Sequence, residues 1–408
     1  MLTPEELAQI AETMLPLIDE LNAFITKDII KRLVARMCRY GDFSLSSSDI
    51  WQLEVMKDTN AHYEAVQAEI AHWTKKSEAE VKAIFEDAGV RVWDADKAVY
   101  EEADGKKRPA IYDSPRMQQI LEDTYRRTNG TIQNFTRTTA TASQKELINQ
   151  LDNAHLKVIT GAQSYSQAAI DAVEEVAKTQ TRVHYPTGHE DSIETAVLRA
   201  VRTGTAQASG NISLQGMKDN DWDVILVSGH LGARYGDGGE NASNHFWWQA
   251  KLYSRTGKTQ GLPLFDVTGY GTGEGLCGWN CRHSFGPGTV GHNPYSGFDS
   301  EENKKLYDLT QRQRALERRI RAEKIKLIGL NAGIQASSDN ANINAGLREK
   351  YKQTAVLLDK HCKEYDEFCK VHKLKRLGDR INTAKWTRSE AAKMRHTVRE
   401  AEKDKSTK

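Results

Sequence analysis

Two cysteines and a histidine lie close together in the sequence, at Cys277, Cys281 and His283. Thiolate and imidazole are the ligands that structural zinc sites prefer, and His230 or His245 could supply a further ligand. Such sites usually draw on two well-spaced pairs of ligands, however, and only one pair is evident here. Structural zinc at Cys277, Cys281 and His283 is therefore a hypothesis. A packed turn with buried thiols is the interpretation we favour, and a disulfide formed later in an oxidising environment is the third.

Histidines and charged residues in the same part of the chain have the types needed for acid–base chemistry. A histidine can act as a general base, and an arginine can stabilise developing negative charge. The set comprises His230, His245, His283 and His292 beside Asp223, Arg234, Asp237 and Glu240. No pattern such as Gly-x-Ser-x-Gly or His-Glu-x-x-His accompanies them. We predict hydrogen-bonded core or turn histidines here, and no catalytic residues.

The cysteines belong to a glycine-rich segment that runs from Gly269 to Phe285. Dense glycine indicates a backbone with unusual dihedral angles or a close approach to another surface. The segment lacks the lysine and hydroxyl of a phosphate-binding P-loop, and no clear strand and helix flank it. The sequence therefore predicts a tightly packed loop and no bound cofactor.

Short strands and one helix are predicted around this segment. Trp222 to Val227 has the pattern of a buried strand, and residues 248–252 alternate as a strand with one buried face does. Residues 262–267 form a weaker third candidate, and residues 191–209 have the period of a helix. Residues 181–299 are thus predicted to form a small central α+β module.

Helical patterns fill the rest of the chain. In residues 1–180 an apolar stripe includes Ile29, Leu33 and Met37. Capping-box patterns at Ser77/Glu80 and Ser143/Glu146 and a proline at Pro115 predict helix starts, and Gly89 predicts a helix end.

Residues 300–408 are predicted to form a basic helical region. A first helix covers residues 306–327 and a second residues 342–372, with Cys362 and Cys369 on its buried stripe. The exposed face of the first helix is predicted to carry Arg312, Arg314, Arg318, Arg319, Arg321, Lys324 and Lys326. The predicted fold class is therefore mainly α, with a helical N-terminal region, a glycine-rich module with short strands and a helical basic C-terminal region.

Formal charge divides unevenly along the chain. Residues 301–408 contain 27 Lys and Arg against 16 Asp and Glu, a charge of +11, whereas residues 1–300 contain 30 against 40, a charge of −10. Such a split indicates that the two ends meet different partners, although helical surfaces can also drift in charge without a partner.

Composition excludes several classes of protein. Five cysteines in 408 residues argue against a disulfide framework and for a reducing compartment. A mean hydropathy of −0.65 and the lack of an apolar run of about 20 residues indicate a protein without a membrane span. We expect neither a secretion signal nor a membrane partner.

Three blocks resemble the phage minor capsid protein family found in phages and prophages of Gram-positive bacteria. They are residues 222–230 with Arg234, residues 244–254, and Gly269-Tyr-Gly271 leading into residues 275–283. The strong likeness covers about 70 residues; the helical segments on either side look similar in layout only. The family pattern has glycine where this chain has Ala250, and usually a smaller residue where it has Trp279.

The resemblance implies a structural minor head protein present in few copies, at the portal vertex and inside the head, and not an enzyme. It implies the portal protein as a partner, with the major capsid protein and packaged double-stranded DNA as further candidates. We expect the helical region 1–180 to attach to the portal, chiefly through apolar stripes such as Ile29, Leu33 and Met37, and the basic region 300–408 to lie towards DNA or an acidic protein surface. The resemblance also implies a location in the virion, after assembly in the cytoplasm of the bacterial host. Two alternatives stay open: an enzyme acting on nucleic acid or nucleotides through the His, Arg and Cys cluster, and a DNA-binding packaging protein.

Overall fold

The computed structural model describes residues 1–39, 48–178, 182–185, 188–295, 297–383 and 385–406. The fold is mainly α, with a small three-stranded antiparallel sheet, as predicted. The helices are α1 (Pro4–Ile10), α2 (Leu15–Arg39), α3 (Ser48–Asp104), α4 (Pro115–Arg137), α5 (Thr139–Ile159), α6 (Tyr165–Lys178), α7 (Ile193–Asp219), α8 (His245–Trp248), α9 (Ser300–Ala336), α10 (Ala341–Val371) and α11 (Arg388–Ser406). The strands are β1 (Arg182–His184), β2 (Glu190–Ser192), β3 (Val224–Val227), β4 (Leu252–Ser254) and β5 (Phe285–Pro287).

Packing divides the chain into two compact units, each assembled from three separated segments. Unit 1 comprises Met1–Met14, Ser77–Gln133 and Val197–Arg312, and unit 2 comprises Leu15–Lys76, Asn134–Ala196 and Gln313–Lys408. Neither unit coincides with the regions 1–180, 181–299 and 300–408, because α3, α4, α7 and α9 each supply residues to both units. The three regions describe composition along the chain, which does not determine which helices pack together.

The sheet and the glycine-rich segment lie in unit 1. Strand β3 is central in the order β4-β3-β5, and Ile225 is paired with Tyr253 on one side and Pro287 on the other. The buried cluster around the sheet includes Phe285, Trp248 and both Cys277 and Cys281. The β3 prediction is confirmed, and the strand buries its apolar side chains as its composition requires.

Of the two other predicted strands, the first is displaced along the chain and the second does not form. Residues 245–248 form the short helix α8, and β4 begins only at Leu252, because Ala250 adopts a left-handed conformation with φ 56° that interrupts an extended chain. The third candidate ends in a 3₁₀ turn at Phe265–Thr268, which closes on Gly269 in a left-handed conformation. The sheet takes β5 as its third strand instead.

Several predicted helix ends are also wrong. Ser77 and Gly89 lie inside α3, and Ser143 lies inside α5, where its hydroxyl donates to the Ala140 carbonyl. Gly89 allows α3 to pack closely against α4, because a Cβ atom there would lie 2.7 Å from a methyl carbon of Leu121. The start of α4 at Pro115 is confirmed.

Unit 2 is built around the stripe of α2. Ile29, Leu33 and Met37 are fully buried, so this prediction of an apolar face is confirmed. Gly329 and Gly333 allow α9 to pack closely against α2 and α6. Cβ atoms at these two positions would lie 3.0–3.5 Å from Ala177, Val173 and Ile30. The stripe of α10 is buried as predicted, except that Cys362 is half-buried.

The basic face predicted for α9 is only partly exposed. Arg321 and Lys324 are buried, and Arg321 is paired with Glu194 of α7. Within unit 2, Glu174 accepts from Lys326 and Lys350 at 2.8 and 2.7 Å. Acidic residues of the first half of the sequence therefore neutralise part of the basic charge of the second half. Arg312, Arg318 and Arg319 are exposed as predicted.

None of the described helices is long and apolar enough to cross a membrane.

Candidate functional site

The glycine-rich segment folds back on itself so tightly that two of its glycines have no room for a side chain. A Cβ atom on Gly275 would lie 2.2 Å from the Gly269 carbonyl oxygen, and one on Gly278 would lie 2.4 Å from the Gly273 oxygen. These contacts are with backbone, which cannot move aside as a flexible side chain can. Dense glycine is thus explained by packing of the segment on itself.

Left-handed residues in and near this segment fix its course. Cys277 and Asn280 have φ angles of 58° and 56°, conformations that cost energy for any residue with a Cβ atom. Ala250 shares this conformation and leaves no room for a side chain at Gly229, where a Cβ atom would lie 2.5 Å from that of Ala250. A left-handed φ favours glycine, so the alanine at position 250 holds a conformation that costs energy.

Three histidines from separate parts of the sequence meet beside this segment. The rings of His230 and His283 stack with centroids 4.8 Å apart, and His245 meets His283 edge-on at 5.4 Å. Trp248 packs against the His283 ring at 4.9 Å. His245 is the first residue of α8, whose start is capped by the Asn244 side chain, and His283 precedes β5.

Hydrogen bonds determine which nitrogen of each ring carries the proton. His245 Nε2 lies 2.8 Å from the Glu274 carbonyl, and His230 Nδ1 lies 2.8 Å from the Leu231 carbonyl. A carbonyl oxygen only accepts, so these two nitrogens donate. In the neutral rings, His245 Nδ1 and His230 Nε2 therefore keep free lone pairs.

Gln249 determines the tautomer of His283. Its Oε1 accepts the backbone N–H of His230 at 2.9 Å, which fixes the orientation of the amide, and lies 2.9 Å from His283 Nε2. That nitrogen must donate, which leaves the lone pair on His283 Nδ1. The Gln249 amide nitrogen is buried without a hydrogen-bond partner among the described residues.

Cys281 places its sulfur beside that lone pair. Its Sγ lies 3.7 Å from His283 Nδ1 and accepts the His283 backbone N–H at 3.4 Å. Cys277 is also buried, and its Sγ lies 3.8 Å from the His283 carbonyl. Both cysteines are free thiols in this structure.

Burial dominates the electrostatics of the site. It lowers the pKa of His245 to about 3, and it holds the pKa of His283 well below the usual range of histidine. Burial likewise raises the pKa of Cys281 to about 11 and that of Cys277 well above its usual value. The group is accordingly uncharged at neutral pH.

In the zinc hypothesis the ligands are Cys277, Cys281 and His283, and both sulfurs do lie 3.8 Å from the His283 carbonyl. The group of potential ligand atoms that lie close together nevertheless contains His245 in place of Cys277. Side-chain ligand atoms of His245, Cys281 and His283 all lie within 4.8 Å of one another, and all three residues are buried. Sequence reasoning named His245 only as a further candidate, since no pattern joins residue 245 to residue 281. It missed Gln249, because the interval 248–252 has the alternation of a strand.

The other residues of the acid–base set serve local structure. Partial burial opposes ionisation of Asp223, but hydrogen bonds from Ser254, Thr256 and Thr259 hold its pKa below the usual range. Asp237 accepts from Asn241 and from the Gly239 N–H. Arg234 donates to the Trp279 carbonyl at 2.7 Å, whereas Glu240 and His292 are exposed.

Comparison with known proteins identifies the family. The sequence model described as phage minor capsid protein 2 matches residues 2–356. A protein of Lactococcus phage LL-H, described as a structural protein, is 26% identical over 184 residues, which are 42% of this chain. The matched region spans 46% of that relative's length. No solved structure matches the chain. Since the family match covers most of the sequence, the chain belongs to the phage minor capsid protein 2 family, a family of structural bacteriophage proteins.

Proposed function

We propose that this protein is a minor component of the phage head, bound at the portal vertex on the inner side, where it acts in head assembly and in packaging or ejection of the genome. The observation that carries the proposal is the family match over residues 2–356. We further propose that it has no catalytic role. Burial of His245, His283 and Cys281 supports this, because a substrate could not reach them without rearrangement.

The portal contact cannot be made by the stripe Ile29, Leu33 and Met37, which the sequence suggested, because these residues are buried inside unit 2. Another stripe in the same unit is exposed: Ile50, Leu53 and Met56 near the start of α3 are 51%, 61% and 59% exposed. We assign the contact with the portal protein to this α3 stripe, since exposed apolar side chains at helical spacing are typical of helix-mediated interfaces.

Replacing Leu53 and Met56 together with aspartate should weaken capture of the full chain by purified portal protein of the same phage at least about tenfold. Burying each side chain contributes about 1.5–3 kcal/mol, and a buried charge opposes binding. Capture by the unmodified chain should persist in high salt, because apolar contacts are not screened. The measurement is a pull-down titration at low and high salt.

A matched control is Leu357→Asp, which changes an exposed leucine of α10 in the same unit. It should leave capture within about twofold of the unmodified chain. Equal capture by the α3 double variant and the unmodified chain would show that another surface contacts the portal.

Packaged DNA is a second partner that we propose, through exposed cations of unit 2. This unit contains 37 Lys and Arg against 30 Asp and Glu, and Lys373, Lys375, Arg395 and Arg399 are exposed. Contacts with phosphate release counterions, so binding should be independent of DNA sequence and should fall steeply as salt rises.

The double variant Lys373→Glu/Lys375→Glu tests this in the full chain. We expect weaker binding to double-stranded DNA and a salt slope smaller by about two, because each phosphate contact contributes about one. Lys106→Glu/Lys107→Glu changes two exposed lysines of unit 1 and should have little effect. Identical salt slopes for all three proteins would exclude the proposed surface.

A further inference from the structure

We propose that His245, Cys281 and His283 bind one zinc ion, which joins the start of α8 to the end of the glycine-rich segment. The ligands would be His245 Nδ1, Cys281 Sγ and His283 Nδ1. This set differs from Cys277, Cys281 and His283, the set that spacing in the sequence suggests. It does not depend on contact with the portal.

The distances suit a tetrahedral ion. Ligand atoms bonded to one zinc lie about 3.5 Å apart, given bond lengths of about 2.0–2.3 Å. Cys281 Sγ and His283 Nδ1 are 3.7 Å apart, and no pair in the set of three exceeds 4.8 Å. Shifts of about 1 Å would therefore complete the geometry.

On the ring nitrogen that would not bind the ion, each histidine makes the hydrogen bond that a zinc ligand needs. A ligating imidazole normally donates its other N–H to an oxygen, which fixes the tautomer and the plane of the ring. His245 donates from Nε2 to the Glu274 carbonyl and His283 donates from Nε2 to Gln249 Oε1. Each ring is thus held with its Nδ1 lone pair free for an ion.

The ligand types select the metal. One thiolate and two imidazoles favour zinc over magnesium or calcium, which prefer oxygen ligands. Three protein ligands leave the fourth position of a tetrahedral ion to a ligand no larger than a water molecule, since the site is buried. Binding would release the thiol proton of Cys281, and the ion's charge would stabilise the resulting thiolate.

Cys277 provides the matched control. It is a buried thiol in the same segment, only four residues from Cys281, yet it lies outside the set of three ligands. Cys277→Ser and Cys281→Ser therefore make the same chemical change in the same surroundings, and only the second should remove a ligand.

The experiment is elemental analysis of the full-length chain purified without chelator, followed by titration with Zn²⁺ and with Co²⁺ as a spectroscopic probe. We expect about one zinc per chain in the unmodified protein and in Cys277→Ser. Less than about a tenth of that should remain in Cys281→Ser and in His245→Gln, which provides a second test if the first variant does not fold. The Co²⁺ spectrum should show thiolate charge transfer that Cys281→Ser abolishes.

An unmodified chain that contains no zinc and takes up neither Zn²⁺ nor Co²⁺ would overturn the proposal. Loss of metal from Cys277→Ser as complete as from Cys281→Ser would overturn the ligand set. Chelator should lower the melting temperature of the unmodified protein by several degrees and leave that of Cys281→Ser unchanged. If the unmodified protein has the same melting temperature with and without chelator, this result would also count against the site.

Discussion

Replacement of Gly278 with alanine is expected to destabilise unit 1 by more than about 4 kcal/mol, and replacement with valine to give an insoluble or protease-sensitive protein. The added Cβ atom would lie 2.4 Å from the Gly273 oxygen and 2.6 Å from the Thr272 oxygen. The Gly273 oxygen cannot withdraw freely, because it accepts the Trp279 N–H at 2.6 Å. Relief of the overlap would therefore unfold the turn that contains Cys277.

The control is the same substitution at Gly130, in α4 of the same unit. Apart from its chain neighbours and the backbone of its own helix, nothing lies within 4 Å of the position that its Cβ atom would occupy, and alanine favours a helix by about 0.5–1 kcal/mol over glycine. Gly130→Ala should thus raise the urea midpoint slightly while Gly278→Ala lowers it strongly. Comparable small effects at the two positions would mean that the segment is not packed on itself in this way.

Replacement of Arg36 with methionine should cost about 1.5–3 kcal/mol, because Asp58 loses its charged hydrogen-bond partner and Glu54 keeps only the exposed Lys57. The guanidinium is 1% exposed and bridges α2 and α3 within unit 2, with Glu54 and Asp58 at 2.6 and 2.5 Å. Lysine at the same position should recover only part of the loss, since it lacks the planar fork that binds both groups. The measurement is urea unfolding followed by circular dichroism.

Lys57→Met is the matched control, since Lys57 is paired with the same Glu54 carboxylate at 3.2 Å but is 76% exposed. Solvent screens such a pair, so its loss should cost less than about 1 kcal/mol. If the two variants unfold at similar urea concentrations, the buried position of Arg36 does not carry the stability that we assign to it.

Periodicity in the sequence predicts those parts of the fold that depend on the apolar pattern and the backbone preferences of neighbouring residues. The buried stripe of α2, the start of α4 at Pro115 and the buried strand β3 are all confirmed. Helix ends were predicted less well where a residue has another role. Gly89 has the pattern of a helix stop, although it makes room for Leu121, and only the folded structure brings these two residues together.

The candidate site was predictable in its residue types but not in its geometry. Cys281 and His283 are neighbours in sequence, so their proximity follows from spacing alone. His245 joins them because α8 packs against the glycine-rich segment, where His245 Nε2 donates to the Glu274 carbonyl, and Ala250 with its positive φ follows that helical turn. A single residue with positive φ leaves no reliable signal when it is not glycine.

The assembly of each unit from three separated segments has a consequence for synthesis on the ribosome. Unit 1 is complete only when residue 312 has been synthesised, and unit 2 only when α9 to α11 have been synthesised. Until then Ile30 of α2 lacks the cover of Gly329 and Gly333 of α9, although α2 is translated early. The helices that are translated first therefore stay partly exposed during translation, which favours their binding by chaperones or by an assembly partner. For the same reason, residues 1–300 alone lack the first part of α9, which belongs to unit 1, and the whole segment Gln313–Lys408 of unit 2.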